Sequence, residues 1–386
     1  MVSIGTGIGV SFLKTSGGGA APVNPDFVFT VDTTQTGSAA DTMVLPLLIG
    51  GTYSGTIDWG DTSTSALSYA NRSHTYAAGG IYTITISGTT LQGWTFQNAG
   101  DKAKITEISN WGLFDFTETR TFQGCINMDI TATDAPNISG TDFTSNFYNA
   151  DGITTVQNWS GWNMSGVTNY TNCFAENGSF NGNLDNWVHS GVTSVSKMFL
   201  NATSFNSDLD TWDVSGVTTW TEFARGATSF NGDVSGWVPS GVMTSAFLSC
   251  SAFTGNGCST WDVSGVTSMF GMFSQCVNFS DNIASWNVSN CTNMTSTFRN
   301  CDAFNRDLSS WDINQVSAFA NFMTDATGLE TALYDALLIA WDAQGTMSYS
   351  GTVNFGGSQY TSGGAADAAR TSLISKWGGI IDGGAA

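Results

Sequence analysis

Between about residues 105 and 325 the apolar positions recur with a period near 25. Trp162, Trp187, Trp212, Trp237, Trp261, Trp286 and Trp311 stand at spacings of 25, 25, 25, 24, 25 and 25. Phe180, Phe205, Phe230, Phe253, Phe279 and Phe304 lie seven or eight residues before the next tryptophan. Phe174, Phe199, Phe223, Phe247, Phe273 and Phe298 lie ten to twelve after the last one. Phe122 and Phe147 extend that second column upstream, Pro136 stands where a tryptophan would, and Trp111 opens the array. A repeat of this kind is one supersecondary unit that cannot bury its own apolar side, so copies stack on one another.

Within a unit, Trp311 and Ile313 are two apart, which predicts one face of a short strand. Val266, Met269 and Phe273 are three and four apart, which predicts a short helix or 3₁₀ turn. About nine such units predict a leucine-rich-repeat-like solenoid of parallel short strands over residues 101–325. At ~4.8 Å per stacked strand it would be a rod of roughly 40–45 Å.

The flanks carry other patterns. Phe27, Phe29 and Val31 alternate, as do Tyr82, Ile84 and Ile86, with Gly/Ser/Thr turns between them. Alternation with turns and no helical period predicts a small antiparallel β-sandwich over residues 26–100. Residues 1–25 read as a short leader or docking peptide followed by a Gly17-Gly18-Gly19 linker. Leu329, Leu333, Leu337 and Trp341 share one helix face, and Ala366, Ala369, Leu373 and Trp377 another, ended by Gly378-Gly379. Residues 326–386 are therefore expected to form a helical C-terminal cap over the open end of the array. The fold class is mainly β with short helices.

Composition narrows the partners. Of 386 residues 41% are hydrophobic, enough for a large core, and only 11% are charged. The net charge is −20 with 11 basic residues, and these are not clustered. A phosphate-tracking surface needs clustered Lys and Arg, so no nucleic acid is expected as a partner. No apolar run approaches the ~18 residues of a membrane span, so membrane insertion is not expected. The glycine-broken start, with Lys14 after the apolar part, does not have the order of a secretory signal.

The unit Phe205-Asn-Ser-Asp-Leu-Asp-Thr-Trp-Asp-Val-Ser-Gly-Val-Thr218 resembles the BspA-like leucine-rich-repeat surface proteins. The likeness covers about residues 105–325, and Tyr334-Asp-Ala-Leu-Leu-Ile-Ala-Trp341 with Gln359-Tyr360 looks like the tail that often closes such arrays. His189 and Pro239 depart from it, standing where other units have Val or Ile. Ile57-Asp58-Trp59-Gly60-Asp61 with His74-Thr75-Tyr76 looks like a PKD-like domain, a spacer or adhesion module, with Thr62 where that family usually has glycine.

Candidate chemistry is sparse. The seven cysteines fall in the repeat columns and form no C-x-x-C pair. They read as small buried thiols, with disulfides among Cys250, Cys276 and Cys301 left open by distance. His74 and His189 have no partner nucleophile in sequence, and both read as structural. Gly5, Gly7 and Gly9 do not lie between a strand and a helix and so are not a phosphate loop. Asp213, Asp262 and Asp312, each one residue after a tryptophan, are the ligand-binding candidates. They could form an outward acidic stripe for Ca²⁺ or polar ligands, or be solvated repeat consensus. Asp58 and Asp61 could ligate Ca²⁺ or cap turns. No other cofactor, no catalytic residue and no resident metal site are expected.

The sequence thus points to a non-enzymatic surface-binding protein. The resemblance, Met1 and the lack of a secretion signal favour a bacteriophage virion appendage on the virion surface. It would dock on other virion proteins through residues 1–25 and contact a host cell-surface glycan or protein. A secreted bacterial adhesin, a ligand-free virion spacer and, more remotely, a glycan-active enzyme are the alternatives. Homo-oligomerisation stays open.

Overall fold

A computed structural model describes residues 25–154, 159–344 and 348–386. The expected leader and its docking role, residues 1–25, lie outside the described residues but for Pro25. The chain is mainly β, with several small sheets, none of them closed, and two α-helices among the described residues.

Strands β1 (Phe27–Asp32), β2 (Thr42–Val44), β3 (Tyr53–Asp58), β4 (Thr64–Ala66), β5 (Ser73–Thr75) and β6 (Ile81–Leu91) come first. β7 (Ile105–Asn110), β8 (Asp115–Phe116), β9 (Asp129–Ile130) and β10 (Asn137–Ile138) follow. The largest sheet has the order β4-β3-β6-β1-β7-β9, and β2 pairs with β5. Alternation buries Phe27, Phe29 and Val31 on one face of β1. That sheet runs across residues 100 and 101, where the sequence predicts a boundary. β1 pairs antiparallel with β7, and β7 parallel with β9. Buried charges reinforce the junction. Lys104, fully buried, donates to the carbonyls of Ala39 (2.8 Å) and Thr42 (2.7 Å). Asp101 accepts from the N–H groups of Ser38 and Val44, both at 2.6 Å. A buried charge needs such partners, and here they tie the 38–44 loop to the segment leading into β7.

The repeats depart from the expected unit. The Trp-x-Val stretch forms no named strand. The parallel pairing lies instead where the apolar spacing predicts a helix. Single bridges link Asn169 to Ser194, Ser194 to Thr219, Ser268 to Asn293 and Asn293 to Ala318. β11 (Ser240–Val242) and β12 (Gly265–Ser268) form a longer parallel pair, with a bulge at Gly241/Val242.

After each bridge comes a row of turns. The N–H groups of Phe143, Ser145, Phe147 and Asn149 donate to the carbonyls of Asn169, Thr171, Cys173 and Ala175, at 2.8–3.0 Å. Asn146, Tyr148 and Ala150 bond three residues back instead. Alternate amides therefore leave the unit sideways, and an α-helix, which keeps its amides on the i−4 carbonyls, cannot form. Two residues four apart in each row take positive φ, such as Asn172 and Glu176, Lys197 and Asn201, or Ser296 and Asn300. None of these is β-branched, as the left-handed region demands. The buried spacing still resembles a helix face, as with Phe143, Phe147 and Ala150.

The tryptophans set the spacing between units. Trp212 Nε1 donates to the Leu184 carbonyl (2.9 Å), Trp237 to Leu209 (2.9 Å), Trp286 to Cys258 (2.9 Å) and Trp311 to Ile283 (3.2 Å). Trp237, Trp261, Trp286 and Trp311 stack with centroids 5.5–6.2 Å apart. The helices α1 (Thr331–Asp342) and α2 (Ala365–Trp377) fall on the stretches whose spacing predicts them. Trp341 on α1 extends the indole column by donating to the Leu308 carbonyl at 3.2 Å. β13 (Gly351–Asn354) and β14 (Gly378–Ile381) pair in parallel beyond it, and the Met323 N–H bonds to the Asn354 carbonyl.

Two substitutions test this account. Trp286→Phe keeps a ring but leaves the Cys258 carbonyl without its indole donor. It is expected to cost about 1–3 kcal/mol in urea denaturation, and a loss below 0.5 kcal/mol would show the bond to be incidental. At Ser296, with φ 57°, Gly is expected to be neutral or stabilising and Val to cost about 1–2 kcal/mol. A helical residue there would instead lose stability on change to Gly.

Candidate functional site

The outward face of the repeats is built by the bridge residues. A buried residue sits between two outward ones: Tyr170 between Asn169 and Thr171, Trp220 between Thr219 and Thr221, Met294 between Asn293 and Thr295. Beside this ridge runs a hydroxyl column. Thr168, Thr193, Thr218, Thr292 and Ser317 each donate to a carbonyl one unit earlier, at 3.1–3.5 Å. Those donors are spent within the protein, so the column presents oxygen lone pairs and, at the threonines, methyl groups. Val242 and Phe270, both about 40% exposed, interrupt the polar ridge next to the bulge. The αL residues add charge in places. Glu222 pairs with Lys197 (3.4 Å) in the preceding unit and with Arg225 in its own.

Asp213, Asp262 and Asp312 point outward but do not converge. Val238 separates the first two in the column and Asn287 the last two, so neighbours stand two steps apart, on the order of 10 Å. Each carboxylate is occupied by its own turn. Asp213 accepts from the N–H and hydroxyl of Ser215, Asp262 from the N–H of Ser264, and Asp312 from Asn314. Hydrogen bonds from Ser215 and Ser264 hold the Asp213 and Asp262 carboxyls below the usual range. The stripe is therefore a row of separate Asx turns. Among the described residues no group of three metal-ligating side chains comes together.

Asp58 and Asp61 behave in the same way. Asp58 accepts from the Gly60 N–H (2.9 Å), and Asp61 from the N–H of Ser63 (3.0 Å) and its hydroxyl. Thr62 takes φ 74°, a left-handed position that suits glycine and strains a β-branched residue. The fold brings Ser63, Asp61 and His74 together, a meeting the sequence alone did not signal. It is not a catalytic relay. His74 Nε2 contacts Asp61 Oδ2 (2.8 Å) and Ser63 Oγ (3.4 Å) through the same nitrogen. A Ser-His-Asp relay needs opposite nitrogens. The imidazole is stacked on Trp59 at 4.9 Å and lies edge-on to Tyr76. His189 accepts from the Gly191 N–H and contacts the Met164 carbonyl.

The seven cysteines are free and buried. Cys250, Cys276 and Cys301 donate to the carbonyls of Ala224, Phe247 and Phe273 at 2.9–3.0 Å. Burial pushes all seven thiols up, which suppresses the reactive thiolate. No helix among the described residues is long and apolar enough to cross a membrane.

The family model described as Mycoplasma protein of unknown function, DUF285, matches residues 141–245 and again residues 242–354. The first match spans about four units, and the second about three before it runs on through α1 and β13. No curated protein matches the chain.

The Asp61 turn gives a pH test. The Ser63 hydroxyl, and less strongly His74, draw its pKa down from 3.8 to about 2. A depressed carboxylate pKa contributes stability that is present above the unfolded value and lost as pH falls through the folded one. Between pH 4 and 2 the unfolding midpoint of the wild type should therefore fall more steeply than that of Asp61→Asn. Parallel curves would show that the Asp61–Ser63–His74 cluster contributes nothing.

Proposed function

The chain belongs to the DUF285 family, whose matched stretches cover more than half of it, and with no activity to carry over we propose a binding role read from geometry. The repeats form a solenoid closed by α1, α2, β13 and β14, and residues 26–100 form a PKD-like sandwich joined stiffly to its first unit. The protein is a non-enzymatic recognition element, resembling BspA-like surface proteins, carried on the surface of a bacteriophage virion. Its partners are virion proteins at one end and a host cell-surface glycan or protein along the array.

One observation carries the binding role. The backbone of the outward ridge is fixed by bonds to the neighbouring units, whereas the side chains it displays differ from unit to unit: Asn169, Ser194, Thr219, Val242, Ser268, Asn293 and Ala318. A rigid frame with freely chosen outward residues suits recognition through many weak contacts, each pre-ordered. Asp213, Asp262 and Asp312, being spent on turns, do not supply the paired acid–base chemistry of the glycosidase kind.

The test is made on particles recovered from lysates of cells that produce the chain. Cryo-EM is expected to find it on the particle with residues 101–325 outward, and Fab fragments against that stretch are expected to block adsorption to host cells. Chain found only in the cell envelope would sink the virion reading and favour an adhesin. Particle-bound chain with adsorption untouched by the Fab would favour a spacer.

A further inference from the structure

An open cleft of about 320 Å³ lies where residues 44–49 face residues 95–101. Its walls are mainly apolar, with Leu45, Leu47, Ile49 and Phe96 among them, and Tyr69 and Arg72 complete the lining. Ile49 is 81% exposed, the most exposed large apolar side chain among the described residues. The Arg72 guanidinium lies over the Tyr69 ring at 3.8 Å, and its Nη1 donates to the Tyr69 carbonyl at 3.0 Å. The group is thus oriented, with further N–H donors to spare.

What it lacks is a counter-ion. The chain has 31 carboxylates to 11 basic residues, and six of the basic side chains form ion pairs with carboxylates. No carboxylate among the described residues pairs with Arg72. Asp101 also lines the cleft, but its oxygens are taken by Ser38 and Val44 N–H groups and the Ser38 hydroxyl, beside Lys104. Its charge is therefore internal. An aromatic-held arginine, unpaired in so acidic a chain and set against an apolar hollow, is complementary to an anion with an apolar body.

We propose that this cleft binds a small amphipathic carboxylate. The carboxylate sits on Arg72, and the tail lies along Leu47, Ile49 and Phe96. Its volume of about 320 Å³ stands at the small end of ligand sites, about 300–1,000 Å³, which suits a medium-chain fatty acid.

Decanoate below its micelle concentration, titrated into the full chain by calorimetry, is the probe. One saturable site is expected, with decan-1-ol, the same tail without charge, bound about tenfold more weakly or worse. Arg72→Gln should lose the preference for decanoate while still binding the alcohol. Ile49→Gln, at an exposed position that leaves folding alone, should weaken both. No saturable binding of decanoate, or equal affinity for acid and alcohol in the wild type, would overturn the proposal. Should the Arg72→Gln variant melt early, the acid–alcohol comparison in the wild type and in Ile49→Gln decides the matter.

Discussion

Each repeat depends on its neighbour for the hydrogen bonds it cannot make alone, and the indole-to-carbonyl bond is the tightest expression of this. The Leu209 carbonyl accepts the Trp212 N–H within its unit and the Trp237 indole from the next. The same double use recurs at Leu184, Cys258, Ile283 and Leu308. A tryptophan is the residue that fits: its ring fills the stack, and its single donor reaches the second lone pair of a carbonyl in the preceding unit. Removing a unit would strand both ends of these bonds, so stability must pass from neighbour to neighbour along the chain.

That dependence explains both ends of the array. At one end β7 is paired on β1, and the Lys104 and Asp101 knot fixes the loop beside it. At the other, Trp341 supplies the last indole, and the Asn354 carbonyl takes the Met323 N–H. Within the turn rows the sideways peptide groups all point their N–H toward the following unit. In an ordinary sheet such dipoles alternate and nearly cancel. Here they run one way within a row, and the Thr168, Thr193, Thr218 and Thr292 amides beside the rows point to the preceding unit.

The same economy governs the charges. Asp58, Asp61, Asp213, Asp262 and Asp312 each bond to an N–H two residues ahead, or to the side chain there. These carboxylates serve as separate turn-formers and do not gather into a site, while others, such as Asp208 and Asp281, accept an N–H from a neighbouring unit. Arg72 is held over the Tyr69 ring without being neutralised.

The sequence by itself determined the period, the buried columns and both helices. Trp spacing, Phe columns and the Leu337–Trp341 and Leu373–Trp377 faces are covalent facts, and burial follows from their chemistry. It also made the carboxylates and the breaks at Val238 and Asn287 legible as residues, but not the turn bonds to Ser215, Ser264 and Asn314 that occupy each carboxylate. Only the tertiary structure decided that the spacing of Phe143, Phe147 and Ala150 becomes a row of turns. An apolar spacing of three and four fits a helix and a turn row equally well. The choice lies with backbone amides that find their acceptors on the next unit, a partner about 25 residues away that no local pattern can reveal. The meeting of Ser63 with His74, the sheet shared by β1 and β7, and the cleft beside Arg72 are contacts of the same long-range kind.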